Sequence, residues 1–294
     1  MDLFQYDFML RALVGALVIG LAAPALGIYL VQRRLALIGD GIGHVALTGV
    51  GAGLLLNRSP VLVAVLAATL GAIVIEVVRS RGRTSGDLAL ALLFYGGIAG
   101  GVLLVGLSDA SSASLNSYLF GSLTTTSTGD LTTILVLGVA ILVTMLALRP
   151  ALFAVCQDEE YARVSGLPVR ALNLLLAVTT AVTVTIAMRA VGVLLISALM
   201  VVPVATAQQV TRGFRGTMAA AMALGLFAAG AGVVVAAAAD TAPGASVVLL
   251  AIASFLVVAL ATAARRALRR PSRPAAAPVT EAVAEPPEHE VALR

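Results

Sequence analysis

MLRALVGALVIGLAAPALGIYLVQRR, residues 9–34, decides the class of fold. Residues 12–32 of it hold no charged side chain. At 1.5 Å per residue, a helix of about 20 apolar residues crosses a hydrocarbon core about 30 Å thick. The arginine pair that closes the run, Arg33 and Arg34, stands where a cleavable signal peptide would need small residues. The segment therefore reads as a retained first membrane helix.

Composition extends that reading to the whole chain. Of 294 residues, 60% are hydrophobic and 12% charged, with a mean hydropathy of +1.04; soluble domains are about 45–50% apolar and about 25% charged. Glycine is plentiful at 28 residues and tryptophan absent. Helices in lipid lack a hydrophobic drive toward one another and associate by close packing of small residues, so tight glycine seams are expected. All 19 basic residues are arginine. A GxxxxGK[ST] loop, whose lysine reaches the phosphates of a nucleotide, is thereby excluded, and any ATP that drives this protein is bound by another chain. The single cysteine, Cys156, rules out an intrachain disulfide and reads as a structural thiol at a membrane edge.

Runs long enough to span lie at residues 9–31, 35–56, 61–78, 88–107, 131–148, 171–188, 190–207, 217–239 and 245–264. This is an all-α, polytopic bundle of about nine transmembrane helices, or eight if one segment is re-entrant. The pI near 9.8 does not point to nucleic acid, because the arginines stand in clusters beside apolar runs. Arg33/Arg34, Arg79/Arg81/Arg83, Arg149/Arg163/Arg170, Arg212/Arg215 and Arg265/Arg266/Arg269/Arg270 alternate with connections poor in base, which places the arginine-rich set in the cytoplasm. Residues 1–270 are expected to form the membrane domain. The Pro, Ala and Glu tail, 271–294, lacks apolar periodicity and is expected to be disordered; His289 within it reads as incidental. The island SYLFG, 117–121, is too short to span and suggests a short helix at the outer face.

Ionisable side chains inside a membrane are costly and are functional candidates by default. In LALIGDGIGHVALTGVGAG, Asp40 and His44 are four residues apart and share a helical face. His44 falls roughly 15 Å beyond Arg34, near mid-membrane. An imidazole nitrogen beside a carboxylate suits Zn²⁺ and also Mn²⁺ or Fe²⁺; the alternative is a neutral His44 that serves as interhelical glue. Asp240, before Pro243 and Gly244, could contribute at the outer end of a helix or be a turn former. Glu76, three residues before Arg79, reads as half of a local ion pair. Between the fifth and sixth spans, Asp158, Glu159 and Glu160 precede Arg163, and the pattern fits a short cytoplasmic helix stopped by Gly166 and Pro168. It is a solvated loop helix, or a rigid element through which an ATPase passes force into the bundle.

Five blocks in order, RRLALIGDGIGHVALTG (33–49), SYLFGSL (117–123), DEEYARVSGL (158–167), AMRAVGVLLISALMVVPVATAQQ (187–209) and DTAPGASVVL (240–249), resemble the permease subunits of ATP-binding-cassette importers for zinc and manganese. The resemblance implies that Asp40 and His44 face the translocation path and that Asp240 adds to it in the outer half. It implies that Asp158 to Gly166, with Glu159, Glu160 and Ala162, forms a coupling helix seated in an ATPase. A non-enzymatic subunit would follow, paired as a homodimer in a bacterial cytoplasmic membrane, with separate ATPases and an extracytoplasmic metal-binding protein as partners. The metal would be cargo, with no resident cofactor. The helix reading ALLFYGGIAGG offers Tyr95 and Gly96 where some zinc-type members carry a further histidine, which weakens but does not reverse a preference for zinc over manganese. An ion-gradient-driven secondary transporter is the competing reading, but no inverted repeat is visible. An intramembrane metalloprotease would need HExxH or a second intramembrane histidine. Siderophore and cobalamin permeases share the coupling-helix wording, but the Asp40/His44 pair argues against such bulky cargo.

Overall fold

The computed structural model describes residues 7–80, 86–108, 112–122, 127–188, 190–193 and 195–268. The tail at 271–294, with His289, lies outside the described residues. The described chain is all helix and turn: α1 (Asp7–Gln32), α2 (Ile38–Leu55), α3 (Pro60–Ser80), α4 (Gly86–Gly106), α5 (Ser112–Phe120), α6 (Thr128–Ala147), α7 (Arg149–Gln157), α8 (Glu159–Val164), α9 (Val169–Ala187), α10 (Ile196–Gln208), α11 (Phe214–Ala239) and α12 (Pro243–Leu268).

Each of the nine apolar runs carries one helix. Seven of them, α1, α2, α3, α6, α9, α11 and α12, are long and apolar enough to cross a membrane, while α4 and α10 contribute shorter apolar helices, Leu90–Gly106 and Ile196–Gln208. The 13 residues of α10 reach only about 20 Å, so the seventh run crosses partly as helix and partly as irregular backbone.

Helix α1 is the axis of the bundle, with 72% of its apolar window buried against 17% for the peripheral α12. It packs on α6, α9, α10 and α11, whereas α2 packs on α3, α4 and α9. A close seam runs between α1 and α11. Pro24 leaves the carbonyl of Gly20 without its helical partner, and Gly225 comes so near that a side chain on Gly20 would stand 2.7 Å from the Gly225 carbonyl oxygen. Only small residues allow this approach. Tyr29, fully buried, donates to the Met145 carbonyl at 2.9 Å and ties α1 to α6.

Before α10 the chain turns through Gly192, whose φ of +91° suits glycine. Irregular backbone at membrane depth persists only where protein surrounds it. Here Ala190, Val191 and Val193 are buried, and the Val193 amide donates to the Tyr118 carbonyl of α5 at 3.0 Å. The SYLFG island thus ends a nine-residue helix that caps the irregular stretch.

Candidate functional site

Helix α2 carries Asp40 in its first turn and His44 one turn later. Gly39 and Gly43 admit Ser197 and Val193 on one side of α2, and Gly41 admits Leu90 of α4 on the other. His44 is buried, 9% exposed, and its ring meets Phe94 of α4 edge-on, with centroids 4.3 Å apart and planes at 78°. Gly97 holds α4 against the His44 backbone: a side chain there would stand 2.6 Å from the His44 carbonyl carbon. Nδ1 of His44 has no hydrogen-bond partner among the described residues. A buried polar atom left so forgoes a stabilisation worth about 1–3 kcal/mol, and such atoms call for an explanation.

A second such atom borders the same helix. Ser197, at the start of α10 and 4% exposed, also has an unpartnered Oγ, and Gly39 would bring a side chain to 2.7 Å from it. The irregular stretch approaches one residue from His44, where the Val193 carbonyl oxygen lies 3.2 Å from the place of a Gly43 side chain. The irregular stretch and Ser197 thus pack along the Gly39/Gly43 edge of α2, one residue round from Asp40 and His44. Neither Phe94 nor Ser197 was legible as part of a site in the sequence; a lone hydroxyl in the run LLISALMVV was the only hint.

Asp240 is not brought to this pair. It caps the C-terminus of α11 in the left-handed conformation, φ 50° and ψ 48°, and is exposed. Short acidic residues tolerate that conformation and end helices there. Among the described residues no three His, Cys, Asp or Glu side chains are grouped to hold a metal ion.

The acidic segment forms one short helix, α8, which follows directly on α7. The Asp158 carboxylate caps α8, accepting from the amides of Glu160 and Tyr161 at 2.9 and 3.0 Å. Gly166, φ +82°, ends it, and the Leu167 amide returns to the Ala162 carbonyl at 3.0 Å, the closure of a helix that stops on glycine. The two faces of α8 differ. Ala162 is fully buried against the bundle, while Glu160, Tyr161 and Val164 are exposed. Glu159 turns inward to an ion pair with Arg33, accepts from Asn173 Nδ2 at 3.3 Å and lies 3.8 Å from Arg79. Arg33 donates to Asn173 Oδ1 at 2.7 Å, and Arg79 holds Glu76 through two contacts of 3.1 Å. Burial, and after it the charge of Arg79, push the Arg33 pKa below its usual value, with Glu159 first among the groups that oppose them. One network thus ties α8 to the ends of α1 and α3 and to the start of α9. In the sequence Arg33 read only as a topology marker, and Asn173, a lone amide beside an apolar run, was the unread signal.

Cys156 lies beside this network, its thiol 3.8 Å from the Tyr29 carbonyl. Burial, opposed by Arg33 and reinforced by Glu159, pushes the thiol up to about 11 from an ordinary 9.0. Only the thiolate attacks alkylating reagents, so the folded chain near pH 7.5 is expected to react with iodoacetamide roughly 100-fold more slowly than the unfolded chain. Mass spectrometry of alkylated membranes checks this; equal rates would show α7 detached from α1.

Comparison with known proteins completes the picture. A family profile described as ABC 3 transport family matches residues 5–262. The chain belongs to the ABC 3 transport family. Similar proteins within reach of this family include the high-affinity zinc uptake system membrane protein ZnuB of Haemophilus influenzae, 30% identical over 86% of this chain and 97% of that protein. The manganese transport system membrane protein MntC of Halalkalibacterium halodurans is also 30% identical, over 86% of this chain and 87% of that one. The solved structure of PsaBC from Streptococcus pneumoniae in complex with Fab superposes with a TM-score of 0.78 at 29% identity, covering 87% of this chain and 92% of that one. As a member of the ABC 3 transport family, this chain is a multi-helix membrane protein.

Proposed function

We propose that this ABC 3 transport protein is the membrane permease subunit of an ATP-driven importer that carries a divalent metal ion into a bacterial cytoplasm, zinc in preference to manganese or iron. The observation that carries the reading is His44: an imidazole buried in the second helix, one turn from Asp40, whose Nδ1 makes no hydrogen bond among the described residues. A histidine acting as helix glue would spend that nitrogen on a neighbour. A nitrogen and a carboxylate on one helical face present a partial ligand set to a passing ion, and the imidazole favours zinc over the harder manganese. Two donors bind loosely enough to release, which conduction requires.

Asp240 serves as a further oxygen donor on the outer side when the surrounding helices rearrange. The outward face of α8, with Glu160, Tyr161 and Val164, seats in a separate cytoplasmic ATPase, while Ala162 and Glu159 fasten the same helix to the bundle. Two copies of the chain, two ATPases and an extracytoplasmic metal-binding protein make up the working assembly.

The test is uptake into proteoliposomes that hold the chain with its ATPase and receive metal from its binding protein. Zinc is expected to accumulate with ATP inside the nucleotide-accessible compartment and not with a proton or sodium gradient alone. Gradient-driven accumulation without ATP would replace this reading with a secondary transporter.

A further inference from the structure

Transport as described leaves one cavity unused. At the arginine-rich edge of the bundle, an open pocket of about 500 Å³ lies between the end of α10 with the turn that follows it and the last turns of α12; Gln209, Thr211, Arg212, Thr262, Arg265 and Arg266 line it. Its lining holds no acidic side chain, and among the described residues the ion pairs engage Arg33 and Arg79 rather than these three arginines. The threonine hydroxyls are committed to the carbonyls of Ala207 and Ala259. The donors on offer are three guanidinium groups, the exposed amide of Gln208 and Nε2 of Gln209, a buried amide nitrogen without a partner among the described residues.

Three cationic forks with no carboxylate among them select an anion with several oxygens, and arginine matches phosphate with paired parallel hydrogen bonds. Position selects the source. The arginine clusters mark the cytoplasmic edge, where anionic lipids gather and basic pockets between membrane helices take up their headgroups. The outward surface of α12 is apolar, with Ile252, Leu256 and Leu260 exposed, while Thr262, Arg265 and Arg266 continue the helix's bundle-facing side at its last turns.

We propose that this pocket binds the phosphate of an anionic phospholipid of the cytoplasmic leaflet, a site separate from the metal path. The experiment is native mass spectrometry of the full chain in detergent, offered phosphatidylglycerol, phosphatidylcholine or inorganic phosphate. The parent is expected to retain phosphatidylglycerol over phosphatidylcholine. Replacing Arg212, Arg265 and Arg266 together by Gln should lower phosphatidylglycerol retention roughly tenfold or more, while Arg163→Gln with Arg170→Gln, the same kind of charge loss elsewhere on that edge, should not. Retention of inorganic phosphate without phosphatidylglycerol would overturn the lipid assignment, and retention of either that ignores the three arginines would overturn the site. Photoactivatable phosphatidylglycerol added to the unaltered chain gives a reading that needs no variant: cross-links are expected on the α12 peptide ending at Arg266, and their absence there counts against the proposal.

Discussion

In vesicles that hold the complete transport assembly, His44→Ala is expected to cut zinc uptake at least about 10-fold, the lower end of what even an outer-shell change costs a metal site. Folding should suffer far less. Nδ1 has no hydrogen bond to lose, and the contact given up is the edge-on packing against Phe94, a kind of pair worth about 0.5–1.5 kcal/mol. Alanine keeps the helix backbone at no propensity cost. Removal of the imidazole leaves Asp40 as the donor on that face of α2, an oxygen that serves manganese better than zinc, so manganese uptake should fall less than zinc uptake in the same preparation. Zinc transport at the parental rate would make the imidazole a packing residue and end the metal-path reading.

The second large effect separates neighbouring glutamates. Glu159→Arg would set a third guanidinium beside Arg33 and Arg79, where the side chain of Arg33 is 6% exposed and that of Glu159 39%. Leaving a buried charge without its partner costs about 3–5 kcal/mol at full burial and less for a half-exposed pair. The variant is therefore expected to lower both the melting temperature of the isolated permease and ATP-driven uptake, because α8 no longer moves as one body with α1, α3 and α9. Glu160→Arg alters only an exposed position and should leave the melting temperature unchanged while weakening association with the ATPase. Arg33→Gln combined with Glu159→Gln should be milder than either change alone, since no isolated charge then remains. If Glu159→Arg matches the parent in both melting and uptake, the network is incidental to coupling.

These two variants also mark where sequence reasoning stops. Hydropathy located every apolar run that carries a helix, because the cost of exposing a backbone to lipid is met locally, within about 20 residues, by the helix itself. Helical periodicity likewise placed Asp40 and His44 on one face from their spacing, and the arginine clusters marked one edge of the bundle. Glycine, aspartate and proline around 158–168 announced a short helix and its ends, although not its division from α7.

What the sequence by itself determined was the class of the protein, its run of membrane segments and the few ionisable residues within them, since each depends on interactions between close neighbours in the chain. Only the tertiary structure decided which partners those residues meet. Whether the seventh run is helical throughout is invisible to hydropathy, because Val191 and Val193 are equally apolar in either conformation; the irregular turn exists because α5, some 70 residues earlier, presents the Tyr118 carbonyl to it. Arg33 and Glu159 are separated by 126 positions, and nothing in the string DEE says that Glu159 faces inward while Glu160 faces out. In lipid the hydrophobic effect does not choose between helix faces, so close packing of small residues and the pairing of rare polar groups make the choice, and both depend on contacts between distant parts of the chain.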